Sequence, residues 1–266
     1  LGIAAWFMLP KATLLKSGDD RGAANREVLA GMSMTLRLPE VWLAGFAGFT
    51  VYLAYTSMPF FLTYLQDLHA LPVLAISIFG IVSTSAGRIG IALPSGFIAD
   101  RFFGGASGGL RSGLLGVAII AAFTIALTLS GGGAWTAMVL MSMLSVLFFF
   151  MRALYFAPFG EMGLPPRFSG SVIAVAAFII YLPSSFAYLL WGFILDYLPG
   201  AAGYALMFGT LGVMAVAGAW VAHRLHTRIL GGTAVRISAR LAAIDAKLGL
   251  VGDEKTLSAL VDEQQQ

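Results

Sequence analysis

The sequence predicts an all-α integral membrane protein, a six-transmembrane-helix bundle organised as two inverted three-helix repeats. Composition is the first sign: 59% of the 266 residues are hydrophobic and 11% charged, with mean hydropathy +0.87. Soluble domains carry about a quarter charged residues. The second sign is six apolar runs, at 41–65, 72–99, 110–129, 135–159, 170–195 and 203–222. Each is near the roughly 20 residues that cross a hydrocarbon core about 30 Å thick. The third is an internal echo. Gly96-Phe97-Ile98-Ala99-Asp100 closes the second run, and Gly192-Phe193-Ile194-Leu195-Asp196 closes the fifth, 96 positions later. Successive spans alternate in direction, so the two copies end at opposite faces, as an inverted repeat requires.

The chain divides accordingly. Residues 1–9 form an apolar stub followed by Pro10 and Lys11, which reads as the tail of a truncated transmembrane helix. A signal peptide would place its positive charge before the apolar stretch. Residues 10–40 mix both signs of charge with Gly and Ser and suit a cytoplasmic connector, 41–226 hold the six spans, and 227–266 form a cytoplasmic tail. Short breakers at 66–72, 100–109, 130–134, 160–169 and 196–203 make neighbouring helices antiparallel. In the tail, Val235, Ile237, Leu241, Ile244 and Leu248 alternate with Arg236, Arg240, Asp245 and Lys247, a helical pattern suited to the inner membrane surface. The last residues, Gln264 to Gln266, read as disordered.

Orientation follows from the sixteen Lys and Arg. Five precede the first span (Lys11, Lys16, Arg21, Arg26, Arg37), Arg101 and Arg111 follow the second, Arg167 follows the fourth, and six follow the last. The alternate loops hold none. By the positive-inside rule both chain ends are cytoplasmic, in the cytoplasmic (inner) membrane. The sequence pI near 9.3 is thereby explained by topology and implies no nucleic-acid partner.

Cysteine is absent, and His69, His223 and His226 lack zinc-ligand spacing, so no metal or cofactor is implied. An intramembrane enzyme would need a nucleophile with its base, or paired acids at one depth. The spans offer neither: Asp67, Asp100, Glu161 and Asp196 all lie at span ends. The reading is therefore not an enzyme.

Gly96 to Asp100 with the following Arg101 resembles the Gly-x-x-x-Asp-Arg loop signature of the major facilitator superfamily. Six spans after a connector and a helix tail resemble helices seven to twelve of that twelve-helix fold. A second stretch is similar to bacterial organic-anion and sugar-derivative carriers: Arg152 to Ala157, Glu161, Pro165 and Gly170, then Gly192, Asp196, Pro199-Gly200 and Gly203-Tyr204. The family loop usually continues with further basic residues. Here Gly104-Gly105-Ala106-Ser107-Gly108-Gly109 intervenes before Arg111.

The resemblance implies a secondary active transporter that moves a small polar, anionic or sugar-like solute by alternating access. Its partners would be that solute, the lipid bilayer and a missing N-terminal six-helix half. It also implies an inner gating network of Gly96, Asp100, Arg101, Arg111 and Glu161. A transporter-like sensor of a small solute is the alternative.

Two basic residues lie inside spans. Arg88 precedes Asp100 by twelve residues, about 18 Å along a helix, and Arg152 precedes Glu161 by nine, about 13 Å. A guanidinium at such depth costs about 2.5–3.5 kcal/mol unless it meets a cavity or a counter-charge. Either arginine could bind an anionic group of a solute. Either could instead bond to backbone carbonyls, pair with an acid of the missing half or snorkel to the interface.

Tyr52, Tyr55 and Tyr181, at mid-span depth, are further substrate-binding candidates, able to hydrogen-bond or stack on a sugar-like ligand, though such rings also serve as interfacial anchors. Trp191 reads as an anchor. Pro183 before Ser184 and Ser185 predicts a loosened helix, and Gly90, Pro94 and Gly96 together would permit the second span to bend during alternating access. Small residues such as Gly113, Gly116, Gly209 and Gly212 predict close helix packing.

Overall fold

Prolines and glycines partition the apolar runs into helices. The computed structural model describes residues 35–163 and 166–232, and every regular element among them is helical. Helices α1 (Pro39–Tyr55) and α2 (Pro59–His69) make a first span bent by 41°. Helix α3 (Val73–Ala86) passes through a π-helical turn at Gly87–Ile91 into α4 (Ser95–Phe103). Then follow α5 (Ala106–Ser130) and α6 (Ala134–Leu154), which continues into α7 (Ala157–Glu161). Helix α8 (Pro166–Tyr181), a 3-10 turn at Leu182–Ser185 and α9 (Ala187–Tyr197) form the fifth span, and α10 (Ala201–Leu230) the sixth.

Among the described residues, five segments are long and apolar enough to cross a membrane, six with the bent pair counted as one. The molecule is therefore an all-α membrane bundle of about six helices. The end-residue details differ from the sequence reading for local reasons. Helix α10 runs four residues past the boundary expected at 226, because no breaker occurs before Gly231 and Gly232. Pro39 and Glu40, assigned to the connector, open α1, where proline's fixed φ and missing N–H suit the first turn. Helix α5 starts at Ala106 because the reversal needs only Gly104 and Gly105, both at positive φ. The truncated-helix stub, the 10–34 part of the connector, and the tail pattern and glutamines beyond 232 lie outside the described residues.

Helix α10 packs most extensively against α5 and next against α1, while α5 also packs against α6 and α1 against α8. Close approach comes from small residues, since in lipid the helices gain from contact more than from leaving water. A Cβ on Gly218 of α10 would lie 2.7 Å from the Thr50 side chain of α1, and one on Gly113 of α5 would lie 2.6 Å from Met151 of α6. Gly209 and Gly212 give α10 looser contacts with Ile125 and Ala121 of α5. The second span stands apart. Only 12% of its apolar window is buried, against 50% for the fourth span.

Candidate functional site

Four spans lose regular α-helix partway along, each next to a proline. Proline removes the N–H that would meet the carbonyl four residues earlier and clashes with it. Pro59 does this to Tyr55, Pro158 to Leu154, Pro183 to Ile179 and Pro94 to Gly90, and the helices stop at Tyr55, Leu154, Tyr181 and Ile91, the last the end of the π turn. The loosened fifth span predicted from sequence is present as the 3-10 turn at Leu182–Ser185, and the second span is interrupted by its π-helical turn ahead of Pro94. Local hydroxyls bond carbonyls beside the breaks: Thr56 donates to Leu53 O, Ser57 to Ala54 O at 2.7 Å and Ser184 to Tyr181 O at 2.6 Å.

Three of these breaks converge. The Arg152 guanidinium carbon lies 4.0 Å from the ring centroid of Tyr55 and 6.0 Å from that of Tyr52. Tyr181 meets Tyr52 edge-on with centroids 4.9 Å apart, and its hydroxyl bonds that of Tyr155 at 2.9 Å. Phe156 packs on Tyr155 at 4.7 Å and on Tyr181 at 6.1 Å. The result is an arginine held in an aromatic cage made by the first, fourth and fifth spans.

Its electrostatics are one-sided. Arg152 is half-buried and has no carboxylate partner among the described residues. Ring faces stabilise the cation by about 0.5–2 kcal/mol, depending on desolvation. These ring contacts use no N–H donor, and among the described residues no acceptor is bonded to the guanidinium. The fork therefore keeps donors available for a carboxylate, sulfonate or phosphate. A cavity of about 260 Å³ adjoins the cage through Tyr55 and Phe149, whose rings are 6.1 Å apart. Phe61, Leu62 and Phe79 form apolar walls, and Ser83, Thr84, Ser145 and Tyr188 supply hydroxyls.

Four of the five substrate-binding candidates, Tyr52, Tyr55, Arg152 and Tyr181, thus share one site. Arg88 is not part of it. It lies exposed in the π-helical turn and makes no hydrogen bond, ion pair or ring contact among the described residues. Its neighbour Gly87 is buried against Phe149, where a Cβ would come within 2.1 Å of the ring.

The expected gating network is replaced by a different arrangement. Glu161 accepts hydrogen bonds from the backbone N–H groups of Ala106 and of Ser107, the latter at 3.3 Å. A carboxylate is well placed there, where the first N–H groups of α5 lack intrahelical partners and the helix dipole is positive. Gly105 admits it, because a Cβ would lie 2.7 Å from Oε1. Asp100 and Arg101 are exposed, and among the described residues neither pairs with Glu161 or Arg111. Gly96 has open space where a Cβ would be. Arg111 approaches His223 Nδ1 at 3.5 Å, and the Ser107 hydroxyl bonds His226 Nδ1 at 3.0 Å. On the same face Arg228 pairs with the buried Glu40 at 3.2 Å.

Trp191 corrects a second expectation. It is fully buried and donates from Nε1 to Thr56 Oγ1 at 3.1 Å, so it ties the fifth span to the break in the first. At the opposite end of the bundle Tyr204 donates to Asp67 Oδ2 at 2.7 Å, and the Tyr64 and Thr128 hydroxyls bond at 2.9 Å.

Sequence reasoning missed Tyr155, Phe149 and Trp191 as site or site-supporting residues. The first two were findable, since they lie three residues after and three before Arg152 on one helix face. Trp191 was not, because its partner is 135 positions away.

The helices define a polytopic integral membrane protein, and the curated proteins it is similar to are inner membrane proteins. The chain is 28% identical over 232 residues to inner membrane protein YihN of Escherichia coli (strain K12), a match covering 86% of this chain and 54% of that protein. It is 26% identical over 210 residues to inner membrane protein YqcE of the same organism, covering 78% of this chain and 49% of that protein. The chain spans about half the length of the curated relatives it matches. No family model and no solved structure matches it.

Proposed function

We propose that this chain is the C-terminal half of a secondary transporter of major facilitator type, with both of its ends cytoplasmic. It would move a small polar solute, anionic or sugar-like, across the inner membrane by alternating access. The observation that carries the reading is Arg152 in its cage: a cation deep in a span, flanked by Tyr55 and Tyr52 rather than neutralised by an acid. An intramembrane charge is costly and marks a solute pathway by default.

Two further features support it. The cage sits where three helices are interrupted, and discontinuous helices near the midplane are where carriers place their sites. The Gly96 to Arg101 signature and its echo at Gly192 to Asp196 fit the inverted-repeat plan. The test is uptake of organic anions and acidic sugars into proteoliposomes holding the full-length protein. At least one such solute should accumulate, and Arg152→Gln should cut the initial rate by about a hundredfold, the loss of a charge-assisted fork worth ~3 kcal/mol. Uptake that survives Arg152→Gln unchanged rejects the site. Binding without uptake favours the sensor.

A further inference from the structure

The largest helix–helix contact in the bundle leaves an outward-facing seam between α5 and α10. On α10 the exposed residues Val216, Trp220 and Arg224 follow one another at four-residue steps, so aliphatic, aromatic and basic groups succeed each other along one face. On α5 the exposed Leu115 lies four residues from Arg111. The two helices run antiparallel, and their basic ends meet where Arg111 Nη1 comes within 3.5 Å of His223 Nδ1. Arg224 lies over the Trp220 ring, 4.4 Å from its centroid.

The charges of this patch are not answered within the protein. Neither Arg111 nor Arg224 makes an ion pair with a carboxylate among the described residues. The nearby acid, Glu161, is engaged by the backbone N–H groups of Ala106 and Ser107. Arg111 thus meets His223, while Arg224, next to His223 in sequence, lies over the exposed Trp220, and the exposed aliphatic residues Leu115 and Val216 lie one turn further along their helices. Tryptophan marks headgroup depth, and basic pockets between membrane helices take anionic headgroups.

We propose that this seam is a binding site for one anionic phospholipid. The phosphate lies between Arg111, His223 and Arg224, Trp220 packs at the glycerol level, and the acyl chains run along Leu115 and Val216. Arg111 is thereby assigned to lipid, not to an interdomain charge clamp. The proposal depends on the transporter reading only for the leaflet, which the orientation of the chain ends makes the inner one.

The test is native mass spectrometry of the delipidated full-length protein, titrated separately with phosphatidylglycerol, phosphatidylcholine and inorganic phosphate. Phosphatidylglycerol should bind as a discrete first adduct. Arg111→Gln and Arg224→Gln should each weaken it by about fivefold, the worth of one basic residue at a membrane surface. Arg101→Gln, an exposed charge outside the seam, should leave it unchanged. Trp220→Ala, which removes no charge, gives a second reading should an arginine variant be poorly produced, and should also weaken the adduct. Equal binding of phosphatidylcholine, equal occupancy by inorganic phosphate, or an Arg101→Gln loss as large as that of Arg111→Gln each overturns the proposal. None of these readouts requires transport, so a failed uptake assay and a failed lipid assay remain separable.

Discussion

Arg152 and Arg88 are the two cations within the predicted spans, and their surroundings differ at every level. Arg152 belongs to the fourth span, half of whose apolar window is buried, and its guanidinium carbon lies over the Tyr55 ring at 4.0 Å. Arg88 belongs to the second, 12% buried, and projects from a π-helical turn into an exposed position. Depth along a helix, which residue counting supplies, puts both well inside their spans and Arg88 the deeper. Azimuth separates them: the turn that carries Arg88 presents Gly87, not the arginine, to the Phe149 ring. A costly charge is thus stabilised in one place by neighbouring rings and left in the other for something outside the described residues to meet.

The contrast can be broken most strongly at its point of contact. Gly87→Leu would drive a side chain into the Phe149 ring, where even a Cβ has only 2.1 Å. Overpacking of this kind costs about 1–3 kcal/mol. The apparent Tm of the purified protein should fall, whereas Gly90→Leu, with nothing within 4 Å, should leave it nearly unchanged. An equal drop for both would mean that the second span does not rest on the fourth at Gly87.

A smaller effect sharpens the difference between the arginines themselves. Arg152→Lys keeps the charge but loses the planar group that lies over Tyr55, so solute affinity should fall about tenfold. Arg88→Lys should change it by less than about twofold, since no ring or carboxylate holds that guanidinium among the described residues. Ligand titration of the two variants side by side decides the matter, and a larger loss at Arg88 would move the site to the second span.

The smallest change expected is in the cage wall. Tyr155→Phe removes the 2.9 Å bond to the Tyr181 hydroxyl while keeping both rings. A net loss of about 0.5–1.5 kcal/mol, up to roughly tenfold in affinity, follows if that bond holds Tyr181 against Tyr52. Tyr181→Phe should match it, and the double variant should cost no more than either alone.

Much of the bundle was legible because its causes are local. The break at Pro183 is read from the sequence, those at Pro59, Pro94 and Pro158 share its local cause, a donor deleted at a known offset, and small residues such as Gly113 announce close contacts. Tyr52, Tyr55, Arg152 and Tyr181 could be chosen individually, as polar groups too deep in apolar runs to be idle. Their union in one cage could not be read, because it depends on how three helices rotate about their own axes. Glu161 illustrates the limit best. An acid at that end of the fourth span was foreseeable, but its choice of the α5 backbone amides over Arg101 depends on a close approach that only Gly105 permits.

The chain's composition and periodicity were enough to make it a membrane bundle of about six helices, since apolar length and proline chemistry act within a single segment. Which residues meet across segments was settled by packing. Trp191, placed at the interface by its position near a span end, is fully buried against Thr56, and Arg88, deeper along its span than Arg152, is left out of the cage. The physical reason is the same for both: a linear sequence records distance along each helix axis, while the neighbour of a side chain is set by the rotation and spacing of helices far apart in the chain.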